Sequence, residues 1–479
     1  MMAHNFNKMH AALRQRLLAR FNTPDVPKQS ILLLQGTKQG ARDNTDIETL
    51  LRQESNFHYL FGVNEGGFYA TLHVDEGKSV LFMPRLPPAY AVWMGKIPSC
   101  DEVREKYGVE EVHYVDELKD YINKASPSVI YTLRGKNTDS GEIMTPAYYE
   151  GMDEHRVDHG RLWDELCECR VIKTKEEIEV MRHVNHISSQ AHLDVMKAAK
   201  PGMYEYELES LFHHRAYSGG GCRYFAYTPI CASGPNGAIL HYGHAGAPND
   251  RQLQDGDMLL LDMGAEYHCY SSDLTRSYPC NGKFTPKQRD VYETVMEAKQ
   301  ACFAIIKAGI NWEQVHRTAD RTIVEGLLKR GYLKGDVDEM VKAHVGGLFM
   351  PHGVGHLIGV DTHDIGGYPK GMERINESNL KSLRTRRDLA PGMVLTVEPG
   401  CYFIESLLLP AFEDKKYKDF LVVDKLRDML GFGGVRLEDN IAVTEDGYDN
   451  LSFGPTTVAE IEEIMGCRPG AEKKRKIDE

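Results

Sequence analysis

Four acidic residues in the second half of this 479-residue chain each end or follow an apolar or glycine-flanked run, and a histidine sits in a glycine-rich loop. Met258-Leu259-Leu260-Leu261-Asp262 carries a charge to the end of a hydrophobic strand, where a carboxylate needs a partner. Asp273 follows eleven residues later. Taken alone, that segment favours a turn-capping Asp262 and an Asp273–Arg276 pair; a reversal near Gly264 would instead bring both carboxylates together. The surrounding sequence shifts the balance. Pro351-His352-Gly353-Val354-Gly355-His356 sets two imidazoles among glycines, which let backbone approach a ligand closely. Asp361, His363 and Asp364 follow. Leu395-Thr396-Val397-Glu398-Pro399-Gly400 and Gly433-Gly434-Val435-Arg436-Leu437-Glu438 repeat the strand-then-acid pattern. Each segment has an ordinary structural explanation, but convergence on metal accounts for all of them at once. His352 and His356 have the spacing of a helical zinc pair, yet Gly353 and Gly355 disfavour a helix, so His352 is given a supporting role.

Strands at 257–263, 267–278, 393–398 and 434–443 and helices at 284–309 and 313–331 would carry these residues. Ahead of them, Thr174 and Glu177 form a capping box. Val180, Val184, Ile187, Ala191 and Val195 then recur as one helical stripe, ended by Pro201-Gly202. The first part of the chain alternates strands and helices. Segments 68–74 and 79–83 flank Asp75-Glu76-Gly77 as a hairpin, 30–34 and 129–133 are short strands, and Pro84, Pro87 and Pro88 mark an irregular loop carrying Trp93. Leu13, Leu17 and Phe21 predict a docked amphipathic helix in preference to a transit peptide. A boundary falls between residues 150 and 172.

Composition narrows the function. The net charge of −13 gives no global attraction to nucleic acid or anionic membranes, which leaves small substrates. No apolar run approaches the roughly 18 residues a membrane span needs. The ten cysteines show no zinc-type repeat and read as thiols of a cytoplasmic protein. Lys473-Lys474-Arg475-Lys476 reads as a solvated tail ahead of a nuclear signal.

The ordered Asp, Asp, His, Glu, Glu set, in the contexts LDMGAEYHCYSSDLTRSYP, MPHGVGHLIGVDTHD, LTVEPGCYF and GGVRLEDN, resembles the pita-bread metallopeptidases. RQESNFHYLFGV (52–63), AVWMGK (91–96), LHYGHAGAPNDR (240–251) and LRTRRDLAPGMVLTVEPG (383–400) are similar to the branch that cleaves Xaa-Pro dipeptides. The resemblance implies an α+β chain: an N-terminal α/β domain (1–165), a pita-bread catalytic domain (166–465) and a polar tail (466–479). It implies metal ligands Asp262, Asp273, His356, Glu398 and Glu438, with a metal-bridging hydroxide as nucleophile and Glu398 doubling as proton shuttle. His241 and His363 would serve catalysis and substrate, and Arg384, Tyr227, Arg436 and Trp93 would bind substrate. Arg384 is the candidate for the dipeptide carboxylate. Arg436, two residues before Glu438 on a strand, would share its face and fix that carboxylate or reach the substrate. Four carboxylates and one imidazole suit two divalent ions, Mn²⁺ first and Zn²⁺ or Co²⁺ as substitutes. The family further implies a homodimer in which the loop near Trp93 approaches the neighbouring site; local packing of Trp93 is the alternative. Two competing functions remain: an aminopeptidase P acting on longer Xaa-Pro peptides, and a non-catalytic binding module.

Overall fold

Helical spacing of Leu13, Leu17 and Phe21 is realised in the helix Phe6–Phe21, where all three are buried. The computed structural model describes residues 6–466. Within it the chain divides into two units, Met1–Arg170 and Val171–Glu479; the basic tail lies outside the described residues.

The first unit is built on a six-stranded mixed sheet. Its order is Glu111–Tyr114, Lys78–Met83, Tyr69–His73, Ile31–Gln35, Ile130–Tyr131, Val157–Asp158. The expected hairpin pairs Tyr69 with Phe82 through to His73 with Lys78. Trp93 sits on a short helix, Tyr90–Met94, where an irregular loop was expected, and is 84% exposed. Local packing therefore does not hold it.

In the second unit the Thr174 capping box forms as the sequence predicts. Thr174 Oγ1 accepts from the Glu177 amide at 3.2 Å, and the Glu177 carboxylate accepts from the Thr174 amide at 2.8 Å. The helix it starts, Lys175–Ala198, buries Val180, Val184, Ile187, Ala191 and Val195. Helices Pro286–Ile305 and Trp312–Lys329 pack on the same core.

Two expected strands are interrupted, and the interruptions place the chemistry. Segment 267–278 splits because His268 and Cys269 both take positive φ (47° and 60°). They form a two-residue turn between paired Tyr267 and Tyr270. The reversal is thus at 268–269, not near Gly264, and Asp273 lies between strands. Segment 434–443 splits at Leu437-Glu438, where the chain leaves one partner strand for another. Gly434–Arg436 pairs with Gly400–Tyr402, and Asp439–Val443 pairs with Val394–Val397. Arg276 does not pair with Asp273. It binds Asp439 at 2.9 Å, as does Lys299 at 2.6 Å, a buried knot that ties the helix Pro286–Ile305 to two site-bearing strands.

Candidate metal centre

Two antiparallel registers bring the acids together. Asp262, the last residue of Met258–Asp262, lies opposite Thr275, close in sequence to Asp273. Val397 lies opposite Asp439, so their neighbours Glu398 and Glu438 leave the ladder at the same end. All four acids and His356 line one cavity of about 540 Å³. Asp273, His356 and Glu438 each turn a ligand atom into a group whose members lie within 4.8 Å of one another.

Hydrogen bonds hold His356, Asp262 and Glu438 by their side chains and Asp273 by its peptide. His356 Nδ1 lies 3.0 Å from the Leu357 carbonyl oxygen. Assigned as the donor there, it leaves Nε2 as the ligand-facing atom, 3.4 Å from Asp273 Oδ2 and 3.6 Å from Glu398 Oε1. Asp262 accepts from Tyr227 OH at 2.5 Å and Arg436 Nη2 at 2.6 Å. Glu438 accepts from Thr275 Oγ1 at 2.7 Å. Asn440 brackets the Asp273 peptide, accepting from its N–H at 2.9 Å and donating to its carbonyl at 2.6 Å.

The strand ends at Arg436, yet Arg436 and Glu438 both turn into the cavity, the side the two-residue spacing predicts. The guanidinium pairs with Asp262, its charge acts on Glu438, and its Nε donates at 3.2 Å to the Thr275 hydroxyl that in turn donates to Glu438. It also donates to Tyr402 OH at 2.8 Å, and that hydroxyl lies 2.8 Å from His352 Nε2. His352 thus stands next to the ligand candidates through Tyr402 and Arg436, and it also lines the cavity. Tyr402 was missed: it lies within the quoted LTVEPGCYF stretch, but only the cross-strand pairing of Gly400–Tyr402 with Gly434–Arg436 reveals its partner. His241, His363, Arg384 and Tyr227 all line the cavity. Trp93 is not among the lining residues.

The electrostatics call for cations. Burial, then the charges of Asp273, Glu398 and Asp262, hold the Glu438 carboxyl well above the usual carboxylate range. Burial raises Glu398 to about 7 and Asp262 to about 6, with the neighbouring carboxylates adding to the rise and Arg436 opposing it. Asp273 goes the other way: burial raises it, but the hydrogen bond and charge of His356, with the Tyr227 hydroxyl and His363, together outweigh that and leave it at about 2. Three buried carboxylates and the part-buried Glu398 thus face the His356 imidazole and the Arg436 guanidinium. The donor set is hard and oxygen-rich with an excess of negative charge, and divalent ions fit it.

This arrangement predicts an unusual pH response. Carboxyls held high in the fold keep protons that the unfolded chain has already released. The contribution of these carboxyls to the stability of the EDTA-treated protein falls as pH rises from about 4 through about 6 for Asp262 and about 7 for Glu398. The buried histidines held low in the fold, His192, His316, His352 and His363 among them, contribute with the opposite sign up to the ordinary histidine range. Mn²⁺ isolates the carboxyls: the rise in Tm on adding Mn²⁺ to the stripped protein should be larger at pH 8 than at pH 5. A rise that is equal or smaller at pH 8 would contradict the charge assignment.

Residues 179–445 match metallopeptidase family M24, and residues 10–131 match the aminopeptidase P N-terminal domain. The chain belongs to metallopeptidase family M24, an α+β protein whose second unit is the pita-bread catalytic fold. The human Xaa-Pro dipeptidase is 53% identical over 461 residues, covering 96% of this chain and 94% of that protein. A probable Xaa-Pro aminopeptidase of Fusarium vanettenii is 37% identical, covering 97% of this chain and 96% of that protein. Among solved structures, an aminopeptidase of Pseudomonas aeruginosa superposes with a TM-score of 0.77 at 30% identity, covering 98% and 99% of the two chains. Zinc-substituted Escherichia coli aminopeptidase P in complex with product also gives 0.77 at 30% identity, covering 96% and 98%.

Proposed function

We propose that this chain hydrolyses Xaa-Pro dipeptides and releases free proline. Asp262, Asp273, His356, Glu398 and Glu438 would hold two divalent ions, Mn²⁺ by preference for an oxygen-rich set. The observation that carries the substrate is the near-full-length 53% identity to a dipeptidase, against 37% to an aminopeptidase relative.

Proline lacks an N–H at the scissile bond, so the enzyme cannot grip it there. When bound, a divalent pair supplies the Lewis acidity that polarises the carbonyl and acidifies the attacking water. Glu398 can take a proton from that water at a carboxylate oxygen. It then delivers the proton to the departing proline nitrogen. Burial, with help from Arg436 and Arg384, holds His241 below its ordinary pKa. His363 is pushed down to about 2 by burial, with His356 and Arg384 adding to the shift. Both rings are therefore neutral N–H donors for the developing oxyanion. Arg384 binds the proline carboxylate. Tyr227 and Arg436 anchor Asp262, and Arg436 also faces the substrate space. The domain assignment, 1–165 and 166–465, follows the family pattern.

A homodimer in which Trp93 approaches the partner's site is supported by the exposed Val92-Trp93 surface, 78% and 84%. A reducing cytoplasm is supported by the buried thiols Cys222, Cys231, Cys302 and Cys401. No helix among the described residues is long and apolar enough to cross a membrane.

The test is Gly-Pro against Gly-Pro-Gly with Mn²⁺. A longer peptide strands Arg384 without its carboxylate, so the dipeptide should be cleaved on the order of 100-fold more efficiently. Efficient tripeptide cleavage with none of the dipeptide would establish the aminopeptidase reading instead.

A further inference from the structure

Lys173 and Asp364 form an ion pair at 2.8 Å in which each side chain is only 1% exposed. The two residues are 191 positions apart, and neither lines the catalytic cavity. A buried pair costs heavily in desolvation and is a weak source of stability, so what it holds in place becomes the question. The Lys173 amide donates to the Gly392 carbonyl at 2.8 Å, anchoring the lysine to the turn before the strand that ends at Val397. Asp364 Oδ1 accepts from the Ile365 amide at 3.1 Å, while Oδ2 takes Lys173.

The loop between His356 and His363 closes on this pair. Asp364 N–H donates to the Leu357 carbonyl at 2.9 Å, and Gly359 N–H donates to the Asp361 carbonyl at 3.0 Å. Gly359 lies so close that an added Cβ would collide with Asp364 Oδ2 and press on Lys173 Cε at 2.9 Å. The His356 and His363 rings meet edge to face at 4.5 Å. Among the described residues no hydrogen bond holds the His363 ring, so beyond that ring contact its place depends on the backbone on either side. On one side Thr362 Oγ1 donates to the Ala226 carbonyl at 3.2 Å. On the other is Asp364.

We infer that Lys173 is a positioning residue for the peptidase reaction: through its buried ion pair with Asp364 it fixes where His363 stands in the substrate cavity. The inference rests on the role given to His363 above. Lys173 touches neither substrate nor metal ligand; its side chain reaches the site through Asp364 and the loop, while the backbone bond to Gly392 is kept when the side chain is changed.

A double-mutant cycle tests this. The first change is Lys173→Met with Asp364→Asn, which removes both charges together and strands neither; Lys173→Met alone serves as the second variant. Each is combined with His363→Ala, and kcat and KM are measured with Gly-Pro and with Gly-Pro-Gly after Mn²⁺ loading. The wild type's preference between the peptides tests the dipeptidase assignment. Coupling, measured on whichever peptide is cleaved, tests the inference. Removing the pair should lower kcat/KM on the order of tenfold when His363 is present, mainly through kcat. It should change less than about twofold in the His363→Ala background, with bound Mn²⁺ unchanged. An equal loss in both backgrounds, or no loss in either, would overturn the inference.

Discussion

Glu438→Ala is expected to abolish Mn²⁺-dependent Gly-Pro hydrolysis, lowering kcat/KM by about 10³-fold or more, the scale of several kcal/mol of transition-state stabilisation. Glu438 is 1% exposed, its amide donates to the Thr275 carbonyl, and Thr275 Oγ1 donates to Oε2. Removing it leaves three carboxylates, too little negative charge to balance two divalent ions. Glu438→Gln separates charge from shape: it should keep the Thr275 contact and still lose metal and activity. Metal-free Glu438→Gln should melt no lower than metal-free wild type, because a neutral side chain of the same shape replaces a carboxyl that burial holds well above its usual range. Full activity in Glu438→Gln would show that the charge at this position is not required.

Arg384→Met is expected to lower kcat/KM for Gly-Pro by about a hundredfold or more, the cost of leaving a buried carboxylate unpaired. Gly-Pro-Gly, which lacks a carboxylate at that position, should be nearly unaffected, so the preference for dipeptides should collapse. Arg384→Lys should recover only part of the loss, since an ammonium cannot form the planar two-pronged contact. Arg384 lines the same cavity as the five ligand candidates, together with His241 and His363. A mutant that loses both peptides equally would assign Arg384 to general structure rather than to carboxylate recognition.

The ligand candidates were legible because each acid leaves a strongly apolar or glycine-flanked strand, a context in which an unpartnered carboxylate is costly. Strand interruptions were not legible. Residues 267–278 have the composition of one strand, and nothing in them announces that His268 and Cys269 both adopt left-handed backbone. Residues 434–443 likewise conceal the change of partner at Leu437-Glu438, which sends Arg436 to Asp262. The helix at Thr174 was predictable because a capping box is local. Tyr402, Thr275 and Lys173 were invisible for the opposite reason. Their roles exist only across distant pairings: Arg436 with Tyr402, Thr275 with Glu438, and Lys173 with Asp364.

The central claim is that these five side chains form one dinuclear centre, and metal stoichiometry tests it most directly. Purified protein would be stripped with EDTA, loaded with Mn²⁺, passed through gel filtration and assayed for metal and for Gly-Pro hydrolysis in the same fractions. Two Mn²⁺ per chain accompanying full activity is the predicted result, falling to one or fewer in Glu438→Gln with activity lost. Fully active wild type holding one ion or less would contradict a dinuclear centre at Asp262, Asp273, His356, Glu398 and Glu438.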